Sequence, residues 1–149
     1  MARIHVEAER VIDASPKNVY AILADYQGRH QRILPPETFK DFHVEEGGQG
    51  EGTVMRFRVA AGGRERPYRM RVTEPDRGRK LVEEDTMSSL VTTFTVEPVS
   101  GGQASRVRIA TDWQGGRGIG GFFERTFAPG TMRRIYEEEL DRLVEETRD

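Results

Sequence analysis

The chain of 149 residues has no cysteine, which excludes disulfide bonds, thiolate metal sites and cysteine nucleophiles. Histidine is scarce as well: His5, His30 and His43 stand at none of the spacings that bind metals, so we expect neither a metal nor another cofactor. Long hydrophobic runs are missing, because no segment approaches the roughly 18–20 apolar residues of a membrane span and the N-terminus lacks the apolar stretch of a signal peptide. We therefore expect a cytoplasmic protein that does not insert into membranes.

A surplus of charge of one sign is also missing, since 23 lysines and arginines stand against 25 aspartates and glutamates, for a net charge of −2. Nucleic-acid binding depends on neutralising phosphates, so this balance predicts no nucleic-acid partner. Six arginines crowd two neighbouring segments, but they alternate with apolar residues, as on the solvent-facing side of antiparallel strands: Arg56, Arg58, Arg64, Arg66, Arg69 and Arg71. We interpret all six as surface charges.

What the sequence does contain is a regular succession of strand and helix signals. Residues 3–13 predict a strand, after which Ser15 suits a helix N-cap and Pro16 suits the first helical position. This helix extends to Asp25, and a second, short helix is predicted at 29–34. Further strands are predicted at 42–46, 53–60, 67–74, 79–85, 89–97 and 105–113. Their spacing is too short for helical crossovers, so the pattern predicts an antiparallel sheet in one domain spanning 1–149.

The last third of the chain predicts one long C-terminal helix, which starts near Phe122 after a glycine-rich turn at 115–121 and is interrupted near Pro129. Residues 116–121 formally match the G-x-G-x-x-G pattern of a dinucleotide site, but no parallel strand follows them. We interpret the segment as a flexible turn that lets the helix cross the sheet. The alternative is a lid over one end of a cavity.

The side chains on one face of the predicted sheet are apolar, but several carry hydroxyl groups or aromatic polar tips. A fully packed core would be richer in Leu, Ile and Val, whereas a pocket needs a few hydrogen-bonding groups among apolar walls. We therefore predict a cavity between the sheet and the C-terminal helix, with hydroxyls that merely bond to the backbone as the alternative. The candidate lining residues are Tyr20, Met55, Phe57, Tyr68, Met70, Thr92, Phe94, Thr111, Trp113, Phe123, Phe127 and Tyr136. The carboxylate run Glu83-Glu84-Asp85 suggests acid/base groups, but alternation sends Glu84 to the opposite face from its neighbours, so at most one or two of the three could face inward. We expect a strand end in solvent instead.

Three passages carry a resemblance to a known superfamily. Residues 12–25 are similar to its opening strand–helix passage, and Val72-Thr73-Glu74-Pro75 and Phe94-Thr95-Val96-Glu97-Pro98 are similar to its strand endings. With the final helix, the whole chain resembles the helix-grip fold of the START/SRPBCC superfamily, which includes the birch-pollen-allergen proteins and the polyketide cyclase/dehydrase group. The resemblance implies an α+β fold with a seven-stranded curved antiparallel sheet around a long C-terminal helix, and two short helices between strands 1 and 2. The superfamily shares a cavity rather than a chemistry.

Three functions are compatible with this resemblance. The first is binding of a small hydrophobic or aromatic ligand, of lipid, polyketide or isoprenoid type, by a monomer or weak homodimer. The second is a polyketide cyclase or dehydratase, with acid/base groups from Tyr68, Tyr136, Glu84 or Arg10. The third is a protein-interaction module, like the co-chaperone and ribosome-associated branches. An enzyme should have a buried ionisable group with a shifted pKa in the cavity, a carrier only apolar and hydroxyl groups, and an interaction module a filled interior with an exposed apolar patch.

Overall fold

The computed structural model describes residues 3–114 and 129–148. In these residues seven strands form one antiparallel sheet in the spatial order β1-β7-β6-β5-β4-β3-β2. The strands are β1 (Arg3–Ile12), β2 (Phe39–Glu46), β3 (Val54–Ala61), β4 (Arg64–Asp76), β5 (Lys80–Asp85), β6 (Val91–Val99) and β7 (Ala104–Gln114). Strands β2 to β7 form a meander of chain neighbours, and β1 extends it by pairing with β7 along its whole length.

The helical elements of these residues are α1 (Pro16–Ala24), α2 (Arg29–Ile33), a single 3-10 turn (Ser100–Gly102) and α3 (Pro129–Thr147). As predicted, Ser15 caps α1, because its Oγ accepts a hydrogen bond from the N–H of Asn18 at 3.3 Å. Asp25 follows α1, and its carboxylate accepts the N–H of Arg29 at 3.0 Å, where α2 begins. None of these helices is long and apolar enough to cross a membrane.

The predicted helix-grip architecture is confirmed, with shifts at the strand ends. Strand β2 starts at Phe39 rather than at 42. Phe39 and Lys40 pair with β3 ahead of a register shift, where Asp41 takes a left-handed backbone conformation (φ 56°), and this irregularity interrupts the alternation used for the prediction. Strand β6 also ends later than predicted, at Val99. The predicted turn at 115–121, and the C-terminal helix as far as its proposed interruption near Pro129, lie outside the described residues.

The core lies between one face of the curved sheet and α3, which packs along β1 and against α2. The side chains predicted to share the inward face are buried, Phe57, Met70 and Phe94 among them. The interpretation of the arginines as surface charges is wrong for Arg66, which is only 7% exposed. Arg66 has the inward parity of Tyr68, and its guanidinium carbon lies 4.4 Å from the centre of that ring.

Candidate functional site

A cavity lies between the sheet and α3, lined by side chains of α2, α3 and strands β2 to β6. The empty space among the lining atoms is about 600 Å³, including the part open to solvent. Most of this space is too close to the lining atoms to admit a water molecule, whose centre can occupy only about 50 Å³ of it. The cavity is therefore narrow: it has room for a few water molecules, and a larger ligand has to displace side chains to enter.

Aromatic rings form one wall of this cavity. The ring centre of Phe57 lies 5.5 Å from those of Phe39 and Tyr68 and 5.9 Å from that of Phe42, distances at which aromatic rings attract one another. Seven of the predicted lining residues border the cavity: Met55, Phe57, Tyr68, Met70, Thr92, Phe94 and Tyr136. The structure thus brings these seven side chains together, and their role in ligand binding stays a prediction.

The hydroxyl groups of the inward face form one connected chain. Thr92 and Thr111 share a hydrogen bond of 2.8 Å, and the Tyr136 hydroxyl bonds to Thr111. Thr92 and Tyr136 border the cavity, whereas Thr111 does not and lies behind them. These three hydroxyls bond to one another, so Thr111 acts on the cavity wall by orienting its two neighbours.

Of the other four predicted lining residues, two lie within the described residues and two do not. The placement of Tyr20 in the cavity is wrong: its side of α1 faces β4, and its hydroxyl donates to Oε2 of Glu74 at 2.6 Å. Trp113 is buried on the inward face at the end of β7, but it does not border the cavity. Phe123 and Phe127 lie outside the described residues.

Three ionisable side chains absent from the predicted set also line the cavity: His30, Glu83 and Glu139, each at most 6% exposed. The Tyr26 hydroxyl donates to Oε2 of Glu83 at 2.7 Å, and Nε2 of His30 lies 3.8 Å from the same oxygen. Nδ1 of His30 lies 2.7 Å from the carbonyl oxygen of Leu23. Because a carbonyl can only accept, Nδ1 carries the hydrogen of the neutral ring, and Nε2 is left with a free lone pair.

Burial is the largest cause of the pKa shift of each of these three groups. It raises the pKa of Glu83 to about 7, with the hydrogen bond from Tyr26 opposing the rise. It lowers the pKa of His30 to about 4, with the bond to Leu23 opposing the fall. Burial and the neighbouring charge of Glu83 raise the pKa of Glu139 well above its ordinary value. At neutral pH, His30 is therefore uncharged.

The pattern contained a signal for each carboxyl, although neither was among the predicted lining residues. The expectation of a strand end in solvent is wrong for Glu83 and Asp85, because the period of two that starts at buried Leu81 places both inward and Glu84 outward. Glu139 follows the inward Tyr136 by three positions, which is the spacing of one helix face. Both positions contradict the rule that carboxylates are almost never fully buried unless paired.

A curved antiparallel sheet packed on a C-terminal helix, with two short helices after β1 and a cavity between sheet and helix, defines a helix-grip protein. Residues 3–148 match the family model described as "Polyketide cyclase / dehydrase and lipid transport", and the chain belongs to this family. No curated protein matches the chain significantly. Within residues 3–114 and 129–148, no group of three or more His, Asp or Glu side chains is placed to hold a metal ion.

Solved structures agree with this assignment. The KanY protein, known from an NMR solution structure, is 35% identical in sequence to this chain over the full length of both chains, and the two structures superpose with a TM-score of 0.85. The Zhui aromatase/cyclase from Streptomyces sp. R1128 is 19% identical, with a TM-score of 0.70 over 99% of this chain and 94% of that one. Major latex-like protein 151 from Panax ginseng is 14% identical, with a TM-score of 0.71 over 97% of each chain. At these lower identities the likeness shows the fold alone.

Proposed function

We propose that this protein binds a small hydrophobic or aromatic molecule, of lipid, polyketide or isoprenoid type, in the cavity between the sheet and α3. The observation that carries the proposal is the cavity wall, where the rings of Phe57, Tyr68 and Phe94 surround an interior that is partly empty. Protein interiors are close-packed and leave few voids larger than a water molecule. An apolar cavity with a few convergent polar groups is the usual form of a small-molecule site.

The lining also accounts for how a narrow cavity can accept a larger molecule. Met55, Met70 and Met132 lie on three different elements around it. Methionine side chains are unbranched and polarisable, so they adapt to irregular shapes, and their rotation widens the space without a backbone movement. The description of the family, which joins polyketide cyclases and dehydrases with lipid transport, supports the same class of ligand.

Blocking the cavity tests the proposal. Val59 lines it, whereas Arg58 on the same strand is exposed, so Val59→Phe and Arg58→Phe add the same ring to opposite faces. We expect the wild type and Arg58→Phe to bind the neutral fluorescent probe N-phenyl-1-naphthylamine saturably. Val59→Phe should bind it at least about tenfold more weakly, measured by fluorescence titration. Circular dichroism shows whether both variants fold.

Native mass spectrometry of the freshly purified chain gives an independent measurement, because a retained molecule adds its mass to that of the protein. Equal binding of the probe by Val59→Phe and Arg58→Phe would place the probe outside the cavity and contradict the proposal. So would the lack of saturable binding by the wild type.

A second function, acid/base catalysis on a polyketide-like substrate, is favoured by a separate observation. His30, Glu83 and Glu139 border the cavity with shifted pKa values, which is the feature expected of an enzyme rather than of a plain carrier. Glu83, with a pKa of about 7, is suited to both accept and donate a proton near neutral pH. A carrier leaves the cyclisation and dehydration of a synthetic poly-β-ketone at the rate measured in buffer alone. An enzyme accelerates these reactions, and loses this activity in Glu83→Gln but not in Glu84→Gln.

The third function, a protein-interaction module, has less support. Its expected feature is a contiguous exposed apolar patch. In the described ranges, the large hydrophobic side chains that are exposed are Val11 on β1 and Met87 in the turn between β5 and β6. Two isolated side chains on separate elements are normal for a protein surface.

A further inference from the structure

We propose that His30, Glu83 and Glu139, which we call the acceptor cluster, bind a protonated amine, so that the ligand is an apolar or aromatic molecule that carries a basic nitrogen. This inference rests on the proposed ligand-binding function and names the chemical class of the ligand. Its basis is that these three side chains have acceptor atoms without a donor among the described residues, in a cavity whose lining is mostly apolar.

Each residue of the acceptor cluster has a nitrogen or oxygen atom that can accept a hydrogen bond but receives none from the described residues. His30 commits its Nδ1–H to Leu23, which leaves the lone pair of Nε2. Glu83 accepts one hydrogen bond, from Tyr26 to Oε2, and its Oε1 has no donor among the residues that the structure describes. The carboxyl of Glu139 has neither a hydrogen bond nor an ion pair there, although its side chain borders the cavity and the residue is only 3% exposed.

The other charged and titratable groups around the cluster are already engaged. Arg66, the buried cation of β4, lies over the ring of Tyr68 and 3.5 Å from Oδ2 of Asp85. The hydroxyl of Tyr136 on α3 bonds to Thr111, and that of Tyr26 donates to Glu83. In the described ranges, the two carboxyls therefore have no counter-charge of their own. A buried carboxylate without one is strongly unfavourable, which makes the cluster a receptor for a cation.

A protonated amine fits the cluster by its hydrogen bonds and by its charge. Its N–H groups are donors for Nε2 of His30 and for both carboxyl groups. Its charge favours the ionised forms of Glu83 and Glu139, and charge-assisted hydrogen bonds are about twice as strong as neutral ones. The His30 ring is held for this contact, stacked on Tyr26 at 4.3 Å and edge-on to Phe94 at 5.6 Å.

Two compounds with the same apolar body separate charge from hydrophobicity: 2-(naphthalen-2-yl)ethylamine and 2-(naphthalen-2-yl)ethanol. At about pH 8, the amine is still protonated, as a lysine would be. We expect the full chain to bind the amine at least about tenfold more tightly than the alcohol in isothermal titration calorimetry at that pH. At about pH 5, protons return to the carboxyl groups, so the preference should shrink.

Adjacent glutamates provide matched controls. Glu139→Gln and Glu83→Gln keep the shape of the side chain and should abolish the preference for the amine while leaving the affinity for the alcohol in place. Glu138→Gln and Glu84→Gln change neighbours that face away from the cavity and should behave like the wild type. Circular dichroism of all four variants verifies their folding.

Equal affinities of the wild type for amine and alcohol would overturn the inference, as would an amine preference that survives both Glu139→Gln and Glu83→Gln. Binding of N-phenyl-1-naphthylamine without binding of the naphthyl amine would also overturn it, while the proposed ligand-binding function would stand. Failure of all three compounds to bind would contradict that function itself, and the inference with it.

Discussion

At the scale of single residues, the hydroxyl of Tyr136 joins the long helix to the sheet. It bonds to Thr111, which in turn bonds to Thr92 at 2.8 Å. Burial raises the pKa of the Tyr136 phenol, so the group stays neutral and keeps its hydrogen. Buried hydroxyls are costly when they lose their partners, so this chain ties the rotation of α3 to the position of β6 and β7.

Tyr136→Phe removes this hydroxyl and keeps the ring. We expect the free energy of unfolding to fall by about 1 kcal/mol, the usual net contribution of one hydrogen bond, in urea denaturation followed by circular dichroism. The double variant with Thr111→Val should lose less than the sum of the two single variants, because the two groups share one bond. Strict additivity would mean that the two hydroxyls are not coupled in solution.

At the scale of the elements, ion pairs bind the end of α3 to α2. Oε1 of Glu146 lies 3.0 Å from Nε of Arg29 and 3.1 Å from Nη1 of Arg32. Burial of Glu146 opposes its ionisation, but the hydrogen bonds and charges of the two arginines outweigh it and lower its pKa. Because α2 carries His30 and α3 carries Glu139, this contact holds two sides of the cavity together.

Glu146→Gln removes the charge from this contact. We expect a loss of about 1–3 kcal/mol in the free energy of unfolding near neutral pH and faster amide hydrogen exchange in the last turn of α3. A lowered carboxyl pKa contributes stability above the unfolded-state pKa, and that contribution is lost as the pH falls through the folded-state value. The variant and the wild type should therefore converge in acid.

Glu145→Gln is the matched control, because Glu145 is exposed and pairs with Arg148 at 2.8 Å rather than with α2. It should change the free energy of unfolding by no more than about 0.5 kcal/mol. If Glu146→Gln behaves like Glu145→Gln, the ion pairs do not hold α3 on α2.

The succession of elements was predictable because each carries a local mark, such as the cap at Ser15 or the period of two in the strands. The interior was less predictable, because periodicity indicates the face on which a residue lies but not what lies opposite. Tyr20 was misplaced because α1 contacts the sheet on a second side, at Glu74. Glu83 and Glu139 were missed because burying a carboxyl contradicts the composition of ordinary cores.

At the scale of the whole molecule, the buried ionisable groups act in opposite directions on the pH dependence of stability. The pKa of Glu83 rises from 4.5 to about 7 on folding, so its favourable contribution is present below the unfolded-state value and is lost as the pH rises through the folded-state value. Glu139 acts in the same direction. The pKa of His30 falls from 6.5 to about 4, so stability is lost as the pH falls through that range. Two carboxyls oppose one imidazole, so these three groups together predict that stability falls as the pH rises above about 5.

The fall in the free energy of unfolding at alkaline pH, which we call the alkaline limb, tests this prediction. Glu83→Gln removes one of the two carboxyl groups whose ionisation produces that fall. The amide oxygen can still accept the hydrogen bond of Tyr26, so the variant keeps its contact and loses only its titration. Between about pH 6 and pH 8.5, the wild type should lose roughly 1–3 kcal/mol more than Glu83→Gln, measured by urea denaturation at a series of pH values. Glu84→Gln, on the outer face of the same strand, should follow the wild type.

The same measurement joins stability to ligand binding. A ligand that carries a protonated amine supplies the missing counter-charge, so saturating naphthylethylamine should restore the stability of the wild type on the alkaline limb but have little effect on Glu83→Gln. If the wild type keeps its full stability at about pH 8.5 without a ligand, Glu83 ionises as readily in the folded chain as in the unfolded one. Water must then reach its carboxyl group, and the cavity would lack the unpaired buried charge on which amine recognition depends.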